Sequence, residues 1–147
     1  MYLITSQSRY GLRFLIDLAE HGGTELLDLG SIAARQEIPE YYLSKLIIPL
    51  KSAGIIHSER GSGGGYSLAK PASDISLLTV VEVLEGRSSL LDCTANPASC
   101  TRSGECRTLP VWMGLDKVVR DYLAGMTVAS VAQLFPDFSI WVSGETT

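Results

Sequence analysis

A five-residue run, Gly61-Ser62-Gly63-Gly64-Gly65, limits the fold of this chain more than any other feature. Glycine weakens the interiors of both helices and strands, so a run this rich in glycine predicts a turn. The residues at 55–60 lead into the run and those at 66–68 follow it, and both segments are typical of strands. The run therefore predicts a β-hairpin with a glycine-rich turn.

Three helices are predicted before this hairpin. Helical spacing of apolar residues indicates the first, with Leu12, Leu15, Ile16 and Ala19 on its inner face. A second short helix fits residues 28–35, and a third fits 39–53. The inner face of the third helix has i, i+3, i+4, i+7 spacing: Leu43, Leu46, Ile47 and Leu50. Pro49 lies inside this helix and predicts a kink or an early end.

Three helices followed by a hairpin give the element order of a winged helix-turn-helix, and the two closely joined helices at 28–35 and 39–53 would form the helix-turn-helix itself. The predicted fold class is mainly α with a small β-hairpin, namely a winged helix-turn-helix domain plus a long dimerisation helix. The winged domain covers 1–75, and a connecting helix near 77–84 leads into a cysteine loop within 76–107. Residues 108–135 carry the dimerisation helix and a short C-terminal helix capped by Thr127, and 136–147 form a tail.

A long amphipathic segment at 108–124 predicts the dimerisation helix. One row of its apolar side chains consists of Val111, Leu115, Val118 and Tyr122. So much apolar surface on one late helix exceeds what a small winged domain can cover, which indicates a homodimer interface.

Charge and hydropathy narrow the classes of partner. The net charge is −4, but residues 1–70 carry seven Lys/Arg and seven Asp/Glu, so the acidic excess lies in 71–147. A neutral N-terminal part can still present a basic face to DNA phosphates, because binding responds to local potential. No apolar run approaches the roughly 20 residues that a membrane span needs, which predicts a cytoplasmic protein with no membrane partner.

Three cysteines, Cys93, Cys100 and Cys106, fall within fourteen residues of polar sequence, and the chain has no others. Thiolates are soft ligands suited to iron–sulfur clusters or zinc. Zinc sites commonly pair cysteines two to four residues apart, whereas six and five residues separate these. The spacing favours an iron–sulfur cluster. We expect [2Fe-2S], with [4Fe-4S] as the alternative, although the spacing does not decide between them. A zinc site and a thiol redox switch remain open.

The turn and the residue types bear on function in two further ways. Glycines allow a backbone to approach phosphates closely, and Arg60 at the edge of the wing could enter a narrow minor groove. A nucleotide-binding loop would need the turn to run from a strand into a helix, and here a strand follows. No catalytic triad or other catalytic constellation can be assembled from the order of residues, so we expect no enzyme and no catalytic residues.

Four segments together resemble the IscR/NsrR-type bacterial transcription regulators, in register from residue 1 to about 134. They are Ser6-Gln7-Ser8-Arg9-Tyr10-Gly11-Leu12-Arg13, Ile38-Pro39-Glu40-Tyr41-Tyr42-Leu43, Arg60-Gly61-Ser62-Gly63-Gly64-Gly65-Tyr66 and the cysteine loop. The resemblance implies a homodimeric, mostly repressor-like regulator that binds a pseudo-palindromic operator in double-stranded DNA. It also implies a cluster beside the dimerisation helix whose state sets DNA affinity.

By position, the resemblance makes Cys93, Cys100 and Cys106 the cluster ligands. It places the DNA-binding residues on the third helix and the wing: Tyr41, Tyr42, Ser44, Lys45, Arg60, Gly61 and Gly64. The alternative function is a metal-independent or zinc-binding winged-helix regulator that uses the cysteines as thiol redox sensors.

The fourth ligand departs from the pattern of the family. IscR-like members have a histidine where this chain has Leu109, and NsrR-like members have an aspartate where it has Arg9. Candidates to complete the site are Glu105, Asp92, Ser8 of the partner subunit or a small external ligand.

Overall fold

The structure is a computed structural model that describes residues 4–87 and 89–134. Seven α-helices and one hairpin follow each other in this part of the chain: α1 (Ser6–Asp17), α2 (Leu29–Gln36), α3 (Glu40–Ser52), β1 (Ile56–Glu59), β2 (Gly65–Leu68), α4 (Leu77–Glu85), α5 (Asp92–Ala95), α6 (Leu109–Ala124) and α7 (Val128–Gln133). A π-helical turn, Leu18–Gly22, extends α1. This architecture confirms the predicted fold class. The predicted tail lies outside the described residues.

Local sequence explains where the helices begin. In four of them, a side-chain oxygen just before the helix accepts a backbone N–H of the first turn: Thr5, Asp28, Ser76 and Thr127. Such a cap contributes about 1 kcal/mol to helix stability. The cap predicted at Thr127 is therefore confirmed.

Helix α3 packs its predicted apolar face into the core, where Leu43, Leu46, Ile47 and Leu50 are all buried. The helix continues past Pro49 to Ser52, so the expectation that proline would end it early is wrong. Pro49 lies in the last turn, where the N–H of Ala53 still donates to the Pro49 carbonyl over 3.0 Å. The missing proline N–H therefore affects a single hydrogen bond near the end of the helix.

A buried ion pair holds α2 against α1. Asp17 has no exposed surface, and the guanidinium of Arg35 donates to its two oxygens over 2.6 and 3.0 Å. Gln36 Nε2 donates to the same carboxylate over 2.9 Å. Burial alone would raise the pKa of Asp17, but the hydrogen bonds from Arg35 and Gln36 outweigh it and hold the pKa below its ordinary value. The first two helices are thus fixed relative to each other.

The hairpin is tied to the helices by a contact that the sequence did not predict. β1 and β2 pair antiparallel, with Ile56 opposite Leu68 and Glu59 opposite Gly65. Tyr66 also exchanges backbone hydrogen bonds with Leu27, just before α2, over 2.8 and 2.9 Å. The wing is therefore anchored on the segment that leads into the helix-turn-helix.

Helix α7 packs with the winged domain, although the predicted domain division grouped it with the dimerisation helix. The N–H of Val128 donates to the Ile75 carbonyl over 3.0 Å, and that of Leu77 donates to the Met126 carbonyl over 2.9 Å. Val128 is fully buried in the common core. The chain thus returns to the core after α6. Within the described residues, no helix has the length and apolar character to cross a membrane.

Candidate nucleic-acid interface and cysteine loop

The outer face of α3 carries three of the predicted DNA-binding side chains. Tyr41, Ser44 and Lys45 are all exposed, Tyr41 to 65%. The Lys45 ammonium lies 4.8 Å from the centre of the Tyr41 ring, within the range of a cation–π contact. The Ser44 hydroxyl donates to the Tyr41 carbonyl over 2.6 Å. A cation, an aromatic ring and a hydroxyl therefore share one solvent-facing patch.

Tyr42, the fourth predicted residue of this helix, has contacts inside the protein. Its hydroxyl lies 2.7 Å from the Ser6 hydroxyl, and its ring meets the Tyr10 ring edge-on with centroids 5.4 Å apart. Both partners belong to α1, so these contacts fix how α3 sits on the first helix. A contact between Tyr42 and DNA stays a prediction.

The turn of the wing depends on glycine at the two positions singled out from the sequence. Gly61 has φ of +97°, which favours glycine strongly. A Cβ at Gly64 would lie 2.4 Å from the Glu59 carbonyl oxygen, so any larger residue would displace the turn. The same geometry leaves Arg60 exposed at the end of β1. The DNA contacts of these residues stay predictions.

A concave cavity of about 610 Å³ lies between α3 and the wing. Its lining includes the cations Lys51 and Arg60, the carboxylate of Glu59, the hydroxyl-bearing Ser44, and Ile48. Ile48 was not among the residues predicted from the sequence, although its position seven residues after Tyr41 places it on the same outer face of α3. The cavity joins the outer face of α3 and the wing into one concave surface.

The cysteine loop is more ordered than its sequence indicated. Helix α5 forms at the start of the loop, and a 3₁₀ turn, Pro97–Ser99, follows it. The side chain of Asn96 caps this turn by accepting the Ala98 N–H. The three cysteines lie in the first turn of α5, directly after the 3₁₀ turn and just before α6: Cys93, Cys100 and Cys106. All three are free thiols with partial exposure.

Cys106 is held in a setting that favours its thiolate. Its Sγ lies 3.3 Å from the Thr108 hydroxyl oxygen. That contact, together with the backbone N–H groups of Thr108 and Leu109, lowers the pKa of the thiol below its ordinary value. The thiolate is the form that binds metal, so this residue is prepared for ligation.

The Cys, His, Asp and Glu side chains of the described residues can be compared with what a zinc ion and an iron–sulfur cluster each require. Among residues 4–87 and 89–134, no three Cys, His, Asp or Glu side chains converge closely enough for a single metal ion. A multi-iron cluster accepts ligands that lie farther apart than those of one zinc ion, and it is held by thiolates. Three accessible free thiols on one loop, one of them favoured as thiolate, fit an iron–sulfur cluster in their chemistry.

Ser8 is a poor candidate for the fourth ligand. Its side chain is only 3% exposed, and its hydroxyl donates to the Glu85 carboxylate on α4. Thr5 donates to the same carboxylate oxygen through its N–H and its hydroxyl, over 2.9 and 3.0 Å. Burial would raise the pKa of Glu85, but these hydrogen bonds lower it overall. Glu105 and Asp92 are exposed on the loop and stay candidates.

Two polar contacts of α6, both missed by sequence analysis, connect this helix to its surroundings. The buried Asp116 accepts the N–H of Leu90 over 2.7 Å at the entrance of the cysteine loop. One turn further along, Arg120 donates to Glu82 on α4 over 2.7 Å. These contacts join the loop, α6 and α4 into one connected unit.

The predicted dimerisation row is exposed in the single chain. Val118 is 67% exposed, and the other members of the row are exposed as well: Val111, Leu115 and Tyr122. Leu115 and Trp112 also line an apolar cavity of about 390 Å³ with Leu90 and Leu91. Exposed apolar area of this kind marks an interaction surface.

Comparison with known proteins identifies the class. A family model described as "Rrf2: Iron-dependent Transcriptional regulator" matches residues 4–134, and the chain belongs to the Rrf2 family. It is 38% identical to the protein rrf2 of Nitratidesulfovibrio vulgaris over 128 residues, which cover 87% of this chain and 85% of that protein. The chain is thus a helix-turn-helix transcriptional regulator, which confirms both the resemblance and the expectation that it is not an enzyme.

Two solved structures show the same likeness in three dimensions. The structure of CymR from B. subtilis, described as the global cysteine regulator, has a TM-score of 0.75 and 31% identity, covering 92% of this chain and all of that one. The structure of IscR from T. potens has a TM-score of 0.73 and 30% identity, covering 98% of this chain and 92% of that one.

Proposed function

We propose that this chain forms a homodimer, that α3 and the wing of each protomer bind a pseudo-palindromic operator in double-stranded DNA, and that an iron–sulfur cluster sets the affinity for that DNA. Cys93, Cys100 and Cys106 would hold the cluster. The observation that carries the proposal is the placement of three free thiols on the loop between α4 and α6, which links the winged core to the apolar helix.

Charge on the outer surface supports the DNA-binding part. Lys51 and Arg60 line one concave cavity between α3 and the wing, where Glu59 supplies a single carboxylate against them. Lys45 adds a third cation on the outer face of α3, although the whole chain is acidic. Arginine and lysine neutralise phosphates, and a hydroxyl or a ring can reach base edges in the major groove. A regulator of promoter DNA acts where the chromosome lies, which we propose is the bacterial cytoplasm.

The exposed row of α6 supports the dimer. A two-fold axis would place the same apolar row of each protomer against that of the other, and would relate the two reading helices. Two equivalent half-sites then follow on the DNA, which is why we propose a pseudo-palindrome.

Coupling between the thiols and the DNA surface would run through the contacts of α6 and α4. Asp116 holds the entrance of the loop, and Arg120 joins α6 to Glu82. Glu85, on the same helix as Glu82, anchors the start of α1 through Thr5. A cluster held by Cys93, Cys100 and Cys106 would add iron–thiolate links that order the loop. A change in that order would shift the population of arrangements of the two DNA-binding surfaces.

A second function retains support from one observation. The free thiols and the lowered pKa of Cys106 would also suit a thiol redox sensor. A zinc site, the other form of this alternative, would need its ligands to lie closer together than they do among the described residues. The similarity to CymR, described as a global cysteine regulator, is compatible with that alternative.

Anaerobic purification separates the two. We expect a coloured protein with broad visible absorption and with iron and acid-labile sulfide in equal amounts. About two of each per protomer would indicate the favoured [2Fe-2S] cluster, and about four of each would indicate [4Fe-4S]. Each single Cys→Ala variant should lose the absorption, whereas Ser99→Ala, on the same loop, should keep it. A colourless protein with stoichiometric zinc, or with neither metal nor sulfide after reconstitution, would contradict the cluster.

A further inference from the structure

Ile48 is an unusual residue for the outer face of α3. Its side chain is 67% exposed, whereas the neighbouring Ile47 is buried in the core. Tyr41, Ser44 and Ile48 are spaced at i, i+3 and i+7, so they project from one side of the helix. Single exposed apolar residues are common on protein surfaces. The location of this one, rather than its exposure, suggests a function.

The location is the cavity between α3 and the wing. Ile48 lines it together with Lys51 and Arg60, two cations suited to phosphates, and with Ser44, which carries a hydroxyl. The lining thus combines two cations, the carboxylate of Glu59, hydrogen-bonding groups and the exposed side chain of Ile48, beside the largely buried Ile47. DNA offers a matching combination in its major groove, where the 5-methyl group of thymine is the apolar feature that distinguishes one base from the others.

We propose that Ile48 contacts the 5-methyl group of a thymine in the major groove and thereby selects thymine at one position of each half-site. The inference rests on the proposed role of α3 as the reading helix, and it does not depend on the cluster. Lys51 and Arg60 outnumber the single carboxylate of Glu59 in this lining. That balance favours DNA over an apolar protein segment as the occupant, since a protein partner would have to cover both cations as well.

The experiment removes the methyl group from each side of the contact in turn. A duplex is first selected by the wild-type protein from a random double-stranded library at physiological salt. Each thymine of the selected duplex is then replaced singly by deoxyuridine, which lacks only the methyl group. Binding is measured for wild type, Ile48→Ala, Ile48→Val and Arg60→Ala, and thermal unfolding verifies that each variant is folded.

At one symmetric pair of thymines, we expect deoxyuridine to weaken wild-type binding by about three- to tenfold, the scale of losing one or two buried methyl contacts. Ile48→Ala should weaken binding to the thymine duplex by a similar factor and should be indifferent to deoxyuridine at that pair. Ile48→Val, which keeps a branched side chain, should still discriminate. Arg60→Ala should weaken both duplexes equally.

Three results would overturn the inference. One is that Ile48→Ala keeps the full deoxyuridine penalty at every thymine. Another is that no thymine of the selected duplex matters to the wild type, which would leave Ile48 to a protein partner. The third is that selection yields no duplex and Arg60→Ala binds DNA as wild type does, in which case the proposed interface fails as well. If Arg60→Ala weakens binding while either of the first two results is found, only the role of Ile48 fails.

Discussion

Asp116, in the middle of α6, accepts the backbone N–H of Leu90 over 2.7 Å and is itself buried. A carboxylate on the proposed dimerisation helix therefore holds the first residues of the cysteine loop. A buried carboxylate is costly unless it is hydrogen-bonded, so this contact is a specific link and not an incidental one. The hydrogen bond therefore fixes the start of the cysteine loop relative to α6.

Replacing Asp116 by Ala should release the entrance of the loop. We expect the variant to lose its visible absorption several times faster than wild type on exposure to air, because the ligands are less well ordered. The matched control is Asp121→Ala on the same helix, where the carboxylate is exposed and pairs with Lys117. Equal rates of cluster loss in wild type and Asp116→Ala would show that the contact does not support the site.

Leu115→Asp should convert the protein to a monomer. The substitution places an unpaired charge in the exposed apolar row of α6, which costs on the order of several kcal/mol when the row is buried against its copy. Sedimentation velocity at micromolar concentration measures the outcome, and Lys117→Ala on the exposed side of the same helix serves as the control. A wild type that sediments as a monomer would refute the dimer interface.

Arg60→Ala and Lys45→Ala should both weaken operator binding. For Arg60→Ala we expect a loss of about 1–3 kcal/mol if the arginine enters a groove. If Lys45 meets a phosphate, its replacement should also reduce the slope of log affinity against log salt by about 1. Fluorescence anisotropy over a range of salt concentrations measures both quantities. Lys117→Ala removes a positive charge away from this surface and should leave them unchanged. Wild-type affinity in Arg60→Ala would rule out the assigned role of the wing.

Asp17→Asn should destabilise the fold by about 2–4 kcal/mol at neutral pH, because it leaves Arg35 without its charged partner. The folded state holds the pKa of Asp17 below its ordinary value of 3.8. This stabilisation is therefore complete above that value and is lost as the pH falls through the lower pKa of the folded state. Urea unfolding should show a wild-type advantage that is large at pH 7 and shrinks below about pH 4. The exposed Asp74→Asn should match wild type throughout.

Elements governed by local spacing were predictable from the sequence. The buried face of α3 follows from helical periodicity alone, and the hairpin follows from a glycine run that can only turn. The continuation of α3 past Pro49 was not predictable from local spacing. It depends on the tertiary packing of Leu50, which is fully buried and keeps the last turn helical. Propensity is a weaker influence than burial at such a position.

Contacts between distant parts of the chain were not predictable. The backbone pairs of Leu27 with Tyr66 and of Ser76 with Thr127 join residues that no local pattern connects. The burial of Ser8 against Glu85 and of Asp116 against Leu90 likewise depends on how the helices meet. The three cysteines stood out by composition, whereas the hydrogen bond that lowers the pKa of Cys106 required the geometry of the start of α6.

The central claim is that cluster binding changes the affinity of the protein for its operator, and that operator binding in turn changes the stability of the cluster. Its most direct test is to titrate the selected duplex with the reconstituted protein and with the same protein after iron and sulfide are removed. We expect the two dissociation constants to differ by at least about fivefold, the lower end of ordinary coupling between sites, and DNA to change cluster stability in the matching direction. Equal affinity of both forms for every duplex tested would contradict the claim.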